Sequence, residues 1–309
     1  MAPTLRPAAA YSALLAALSL SSCSTPVAFQ EASGTLTRLP TVEPALPAAD
    51  AVAASSAPGN EHLTPERLKR GYTIVVVGVN GDNMLNAGLA PGIVEGGYSG
   101  AVEVIDWTTG YWPLFVYHLR SNARHDSGAR VISERVVAYR RRYPGREVNL
   151  VAHSAGAAVS LEALEELPES ESVDRVVLLA AAVSPAHDLR PALAHCRVGL
   201  WNYYQPQDVV ALWAGTIVAG TADGHHLMSA GAVGFWPRTG LTEAEQNLLK
   251  DKLVQMPYEP RMALSGNLGG HFQCVNHRFV AEWIAPVLER SASDDVSQVA
   301  NKPDASSRH

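Results

Sequence analysis

The sequence predicts an α/β fold, a mostly parallel sheet flanked by helices, on three observations. Short β-rich apolar runs ending in glycine alternate with longer runs of helical period. Apolar residues make up 47% and charged residues 17% of the 309-residue chain, enough to bury a real core. The segment that carries the alternation, 63–290, is roughly 230 residues, a size that suits one α/β domain better than two. No internal repeat is visible.

Tyr72–Val77 is a run of buried-strand type that stops at Gly78, and Val102–Ile105 is a second, between Gly100 and the Asp106-Trp107 turn. Arg124–Tyr143 carries Val131, Ile132, Val136 and Val137 at near-helical spacing and halts before Pro144-Gly145. Strand Glu147–Val151, a helix from Ser154 to Leu167, and strands Arg175–Ala180 and Val198–Tyr204 follow. Thr242-Glu243-Ala244-Glu245 is a capping box opening a helix expected to reach Gln255, and the last helix is Asn276–Glu289. The Gly-, Ala- and Thr-rich stretch 211–240 reads as a small cap or loop insertion at the strand ends.

Both ends of the chain read as something other than domain. Arg6 precedes an apolar run from Ala8 to Leu20, too short for a bilayer-spanning helix, which needs roughly 20 residues, but suited to a signal-peptide core. It ends in Leu20-Ser21-Ser22-Cys23, which resembles the bacterial lipobox. That resemblance implies cleavage before Cys23, acylation of its thiol and amine, and a lipid anchor in the bacterial cell envelope. Ser24, where some lipoproteins carry Asp, points the same resemblance toward an outer membrane. The expected organisation is a leader over 1–22, an Ala/Pro/Ser-rich tether over 23–62, the domain over 63–290 and a loose tail over 291–309.

Charge excludes one class of function. A net charge of -6 and a pI near 6.0 give no footprint for a phosphate backbone, so nucleic acid is not an expected partner. Arg140-Arg141-Arg142 reads as the solvated face of a helix. With Cys23 acylated, Cys196 and Cys274 remain, and their placement on opposite edges of a parallel sheet predicts two free thiols.

The sharpest local signal is Val148–Ala158, a strand, a tight turn and an Ala-rich helix start around Ala152-His153-Ser154-Ala155-Gly156. Small residues two before and two after the serine let strand and helix approach. This pattern resembles the Gly-x-Ser-x-Gly nucleophile elbow of the α/β-hydrolase superfamily, with Ala152 in place of the usual first glycine. The resemblance implies that fold, a nucleophilic Ser154, and an acid and a histidine downstream.

Gly269-Gly270-His271-Phe272, just before the last helix, resembles the family's histidine loop and makes His271 the candidate base. Asp208, after the strand and turn of Trp201–Gln207, is the candidate acid; Asp188, after the preceding strand, is its rival. His277 is expected on the last helix as a surface or packing residue. His225 and His226 are read as polar loop, substrate-loop residues or a rival base. They have no metal-ligand spacing, so neither a metal nor a cofactor is expected.

Two backbone donors complete the family's site. Ala155, after the nucleophile, is one; the loop Val77-Gly78-Val79-Asn80-Gly81-Asp82 supplies the other, from Val79 or from Asn80. The aromatic cluster Trp107, Tyr111, Trp112, Phe115 and Tyr117 is read either as core packing or as the lining of an acyl cleft, the first being the commoner fate. The resemblance implies a serine hydrolase acting on a small-molecule acyl ester or lipid ester. An acyltransferase with the same triad, and a catalytically silent envelope lipoprotein that uses the fold as a binding or scaffold module, are the alternatives.

Overall fold

The computed structural model describes residues 60–84, 86–208, 221–225 and 228–289. The expected leader, Cys23, the tether up to residue 59, the tail 291–309, and residues 211–220, His226 and Leu227 of the expected insertion lie outside the described residues.

Six strands, β1 (Tyr72–Val76), β2 (Ala101–Ile105), β3 (Val148–His153), β4 (Val173–Leu179), β5 (Cys196–Tyr204) and β6 (Leu253–Pro257), form one sheet in the order β2-β1-β3-β4-β5-β6. Every neighbouring pair is parallel. Parallel neighbours require crossovers, so helices cover both faces, and β1, β3 and β4 are buried at every position. That is why these strands read as unbroken apolar runs. The architecture is that of the α/β-hydrolase fold.

The described helices are α1 (Pro65–Leu68), α2 (Leu89–Glu95), α3 (Phe115–Arg120), α4 (Asn122–Arg142), α5 (Gly156–Glu165), α6 (Arg190–Ala194), α7 (Ala230–Val233), α8 (Glu243–Lys252), α9 (His277–Phe279) and α10 (Ala285–Glu289), the last two joined by a π-helical stretch over Val280–Ile284. Helices α4, α5, α6 and α8 pack one against the next, while α2 packs against the C-terminal run from α9 to α10. Right-handed crossovers put these two groups on opposite faces of the sheet. From β1 the chain moves one way to β2, and from β3 it moves the other way to β6. At such a reversal the loops part and leave a crevice beyond the C-terminal ends of the strands.

The C-terminal run is seated directly on the α2 backbone. A Cβ on Gly88 would lie 2.4 Å from the Val275 carbonyl oxygen, and one on Gly96 would lie 2.4 Å from the Ala285 Cβ. Only glycine allows that approach, and it fixes the loop that precedes α9. The described part of the 211–240 insertion lies along the residues that follow β4. Ala222 N–H donates to the Ala182 carbonyl, Ala230 N–H to Val183, and Gly231 N–H to Ala181.

Three expectations are corrected. The helix expected to reach Gln255 stops at Lys252, and Leu253–Pro257 is the edge strand β6. Leu248, Leu249, Leu253 and Val254 fit a helical period as well as a strand, and pairing with β5 decides. Arg140 is not a solvated residue of its triplet: its guanidinium donates to the buried Asp174 carboxylate at 2.8 Å and to the Ser172 carbonyl. The aromatic cluster is not core packing beyond Trp107, since Tyr111, Trp112, Phe115 and Tyr117 are exposed. Cys196 and Cys274 are both free and buried.

Candidate active site

Strand β3 delivers Ser154 to the C-terminal edge of the sheet at the reversal point. Ser154 has φ +55°, a left-handed conformation that costs a non-glycine residue roughly 1–3 kcal/mol. The turn is held from three sides: Ser154 N–H donates to the Leu179 carbonyl, and the Ser154 carbonyl accepts from Ala157 N–H and Ala182 N–H. Gly156 then starts α5 against β1. A Cβ there would lie 2.6 Å from both the Val76 and Val77 carbonyl oxygens, so the position admits glycine alone. Ala152 is fully buried, and the strand accommodates its methyl group. The N-terminus of the ten-residue α5 points its partial positive charge at this turn.

The structure brings three of the sequence-selected side chains together. His271 Nε2 lies 3.0 Å from Ser154 Oγ, and His271 Nδ1 lies 2.8 Å from Asp208 Oδ2. Facing a carboxylate, Nδ1 carries the proton and donates, which leaves the Nε2 lone pair toward the serine hydroxyl. Ser154 and Asp208 are buried and the His271 side chain is nearly so.

The other candidates lie elsewhere. Asp188 is engaged by Arg190, whose guanidinium donates to both carboxylate oxygens and holds the acid down to about 2, at the start of α6. His277 is exposed, 3.9 Å from Glu95. His225 is exposed in a turn with Thr221.

The loop after β1 reaches the serine directly. Gly78 is so close that a Cβ there would lie 3.1 Å from Ser154 Cβ. A turn closed by Gly81 N–H donating to the Gly78 carbonyl carries Val79 and Asn80 past the site. The Val79 carbonyl is taken by His118 Nδ1–H at 2.9 Å, which pins that residue's backbone.

Sequence reasoning missed the side chain that ties these pieces together. His153 is fully buried beside the nucleophile; its Nε2 lies 3.1 Å from the His271 carbonyl oxygen, and its ring meets that of His271 at a 45° tilt with centroids 4.9 Å apart. Its Nδ1 lies 2.9 Å from Asn86 Oδ1, a second acceptor, so the single N–H of the neutral ring serves one of the two; the Asn86 Nδ2–H donates to the Gly81 carbonyl. One imidazole thus links the β1 loop, the elbow and the histidine loop. Burial, reinforced by His271, pushes its pKa down to about 3, so it is neutral at pH 7. Cys274 Sγ donates to the same His271 carbonyl. A polar residue at the end of an apolar strand was the available signal.

A cavity of about 620 Å³ is lined by Arg120, Asn122, Asp126, Glu162 and residues 221–224, and by none of the three site side chains. Among the described residues no cluster of histidine, cysteine and carboxylate side chains could hold a metal ion.

Neither a family model nor a curated protein matches the sequence. Solved structures to which the chain is similar include LpqC, a poly(3-hydroxybutyrate) depolymerase from Bordetella parapertussis, at 14% identity over 74% of this chain and 84% of that one, TM-score 0.41. The acylaminoacyl peptidase of Pyrococcus horikoshii matches at 10% identity over 75% of this chain and 40% of its own, TM-score 0.40. A lipase-esterase related protein from Clostridium acetobutylicum matches at 15% identity over 72% of this chain and 95% of that one, TM-score 0.36.

Proposed function

We propose that the protein is a serine hydrolase of carboxylic or lipid esters, held at the bacterial cell envelope by a lipid anchor on Cys23. The observation that carries the catalytic part is the relay from Ser154 Oγ through His271 to the buried Asp208, with the serine on a strained elbow.

In this reading His271 Nε2 takes the Ser154 proton as Oγ attacks the acyl carbonyl, and Asp208 stabilises the imidazolium that forms. The oxyanion is held by the Ala155 amide and by that of Val79 or Asn80, with the α5 N-terminus behind them. His271 then protonates the leaving alcohol, and a water deprotonated by the same nitrogen releases the acid from the acyl-enzyme. Cys23 anchoring is supported by the Leu20-Ser21-Ser22-Cys23 sequence.

The test is turnover of a graded series of p-nitrophenyl acyl esters by the full chain. The reading expects a burst of one p-nitrophenol per chain followed by slower release. Equal turnover by Ser154→Ala would sink it. A diacylglyceryl mass on the Cys23 peptide from the native host tests the anchor separately.

A further inference from the structure

Seven consecutive residues, Tyr111–Tyr117, leave their side chains in solvent. Tyr111 and Trp112 are 62% and 63% exposed, and Leu114, Phe115, Val116 and Tyr117 all exceed 40%. Phe115, Val116 and Tyr117 are successive positions of α3, so the exposure is not one face of a packed helix: the whole turn projects. A stretch this apolar and this exposed marks a contact surface.

The base of the projection is built firmly. The Arg124 guanidinium donates to the Trp107 and Thr108 carbonyls, and Trp107 Nε1–H donates to the Val77 carbonyl at 2.7 Å. His118, fully buried, donates from Nδ1 to Val79 and accepts at Nε2 from the Thr109 hydroxyl at 2.8 Å. The tip is therefore presented by a pinned loop, which His118 ties to Val79 in the turn that touches Ser154. Met84, after β1, and Leu268, before His271, are also exposed and lie on the same edge of the sheet.

Two features name the occupant. No acidic residue occurs between Asp106 and Asp126, and the exposed Arg120 follows the projection, in a chain of net charge -6. Trp and Tyr with a flanking cation suit the boundary of an anionic bilayer. The second is where the described chain begins: Asn60 Oδ1 accepts from Val104 N–H, near the C-terminal end of β2, from which the projecting loop also leaves. The described chain therefore begins, on the side toward Cys23 in sequence, at the edge that carries the projecting loop.

We propose that Tyr111–Tyr117 is a membrane-contact loop that sets Trp112 and Phe115 into the headgroup–acyl boundary of the anchoring bilayer and holds the mouth of the Ser154 site against the lipid surface. The inference rests on Cys23 anchoring and deepens the ester-hydrolase reading by making membrane lipid its substrate source.

The full acylated chain in phosphatidylethanolamine–phosphatidylglycerol vesicles tests it, with an environment-sensitive fluorophore on Val116→Cys or, for reference, on Ser170→Cys at the opposite edge of the sheet. Expected are a blue shift and quenching by lipid-borne spin labels at position 116 but not at 170. Trp112→Ser with Phe115→Ser should abolish both, with fluorophosphonate labelling of Ser154 in detergent unchanged. A probe at 116 that stays in water on vesicle-bound chain overturns the proposal. So does a shift at 116 that needs no vesicles and grows with protein concentration, which would make a second copy the occupant. Ser154→Ala should leave the shift intact and the mass of the N-terminal peptide reads acylation directly, so failure of either earlier reading is told apart from failure of this one.

Discussion

The elbow from β3 into α5 and the loop from Asp106 to Arg120 are both rich in apolar residues, and both leave the C-terminal edge of the sheet. In the first, every residue from Val148 to Leu161 is buried, and the backbone is bent into a conformation its sequence does not favour. In the second, only the base is buried, and the seven consecutive residues Tyr111–Tyr117 stand in solvent. The contrast teaches that apolar content near a site can serve two ends. In the elbow it supplies packing rigid enough to hold strain at Ser154; in the loop it supplies a surface that the described residues leave exposed.

The comparison is broken most severely from the elbow side. Ser154→Ala should lower kcat by about 10⁶-fold, since the unit of nucleophile and base fails together. Asp208→Asn should cost about 10⁴-fold by presenting His271 with the wrong partner for its Nδ1–H. Asp188→Asn should leave kcat within about twofold, because that carboxylate belongs to Arg190. Steady-state ester hydrolysis reads all three, and equal losses at 188 and 208 would refute the assignment of the acid.

His153→Leu is expected to slow fluorophosphonate labelling of Ser154 by about 10²-fold, the scale of an ångström-sized misplacement of the base. His153→Gln, which keeps a donor for the His271 carbonyl, should recover part of that rate. A purely structural histidine would show no such difference between the two variants at equal thermal stability.

A smaller effect lies in pH. His187 sits between Asp223 and Glu165, and these carboxylates, against its burial, raise its pKa to about 9. The folded state therefore binds more protons than the unfolded one between about 6.5 and 9, and stability falls as pH rises through that window, by on the order of 3 kcal/mol. His153 acts oppositely: its depressed pKa makes stability fall as pH drops below about 6.5. Melting curves from pH 5 to 9.5 should thus peak near neutrality, and His187→Gln should flatten the alkaline side alone. Smallest of all, Trp112→Ser should change turnover of a water-soluble ester by no more than about twofold, because the exposed tip touches no part of the relay.

The elbow was legible because sterics leave little choice at 152, 154 and 156, and close packing against the Val76 and Val77 carbonyls is the reason at Gly156. Asp208 was selected from its place after a strand and turn, and His271 from a glycine-rich loop before the last helix that resembles the family's histidine loop. The sheet's central strands were legible as apolar runs, whereas β6 was hidden because its residues continue the period of α8. The exposed loop was misread toward the core because burial is the usual fate of such residues. The His153 clamp left only a polar residue at the end of an apolar strand as a local trace, since its partner is a main-chain carbonyl 118 residues away.

The central claim, an activated serine at 154, is tested most directly by treating the full chain with a fluorophosphonate and mapping the adduct by peptide mass spectrometry. The account predicts one adduct, on the peptide carrying Ser154, and none there in His271→Ala. A folded protein that takes no adduct at Ser154, or takes it equally without His271, would contradict it.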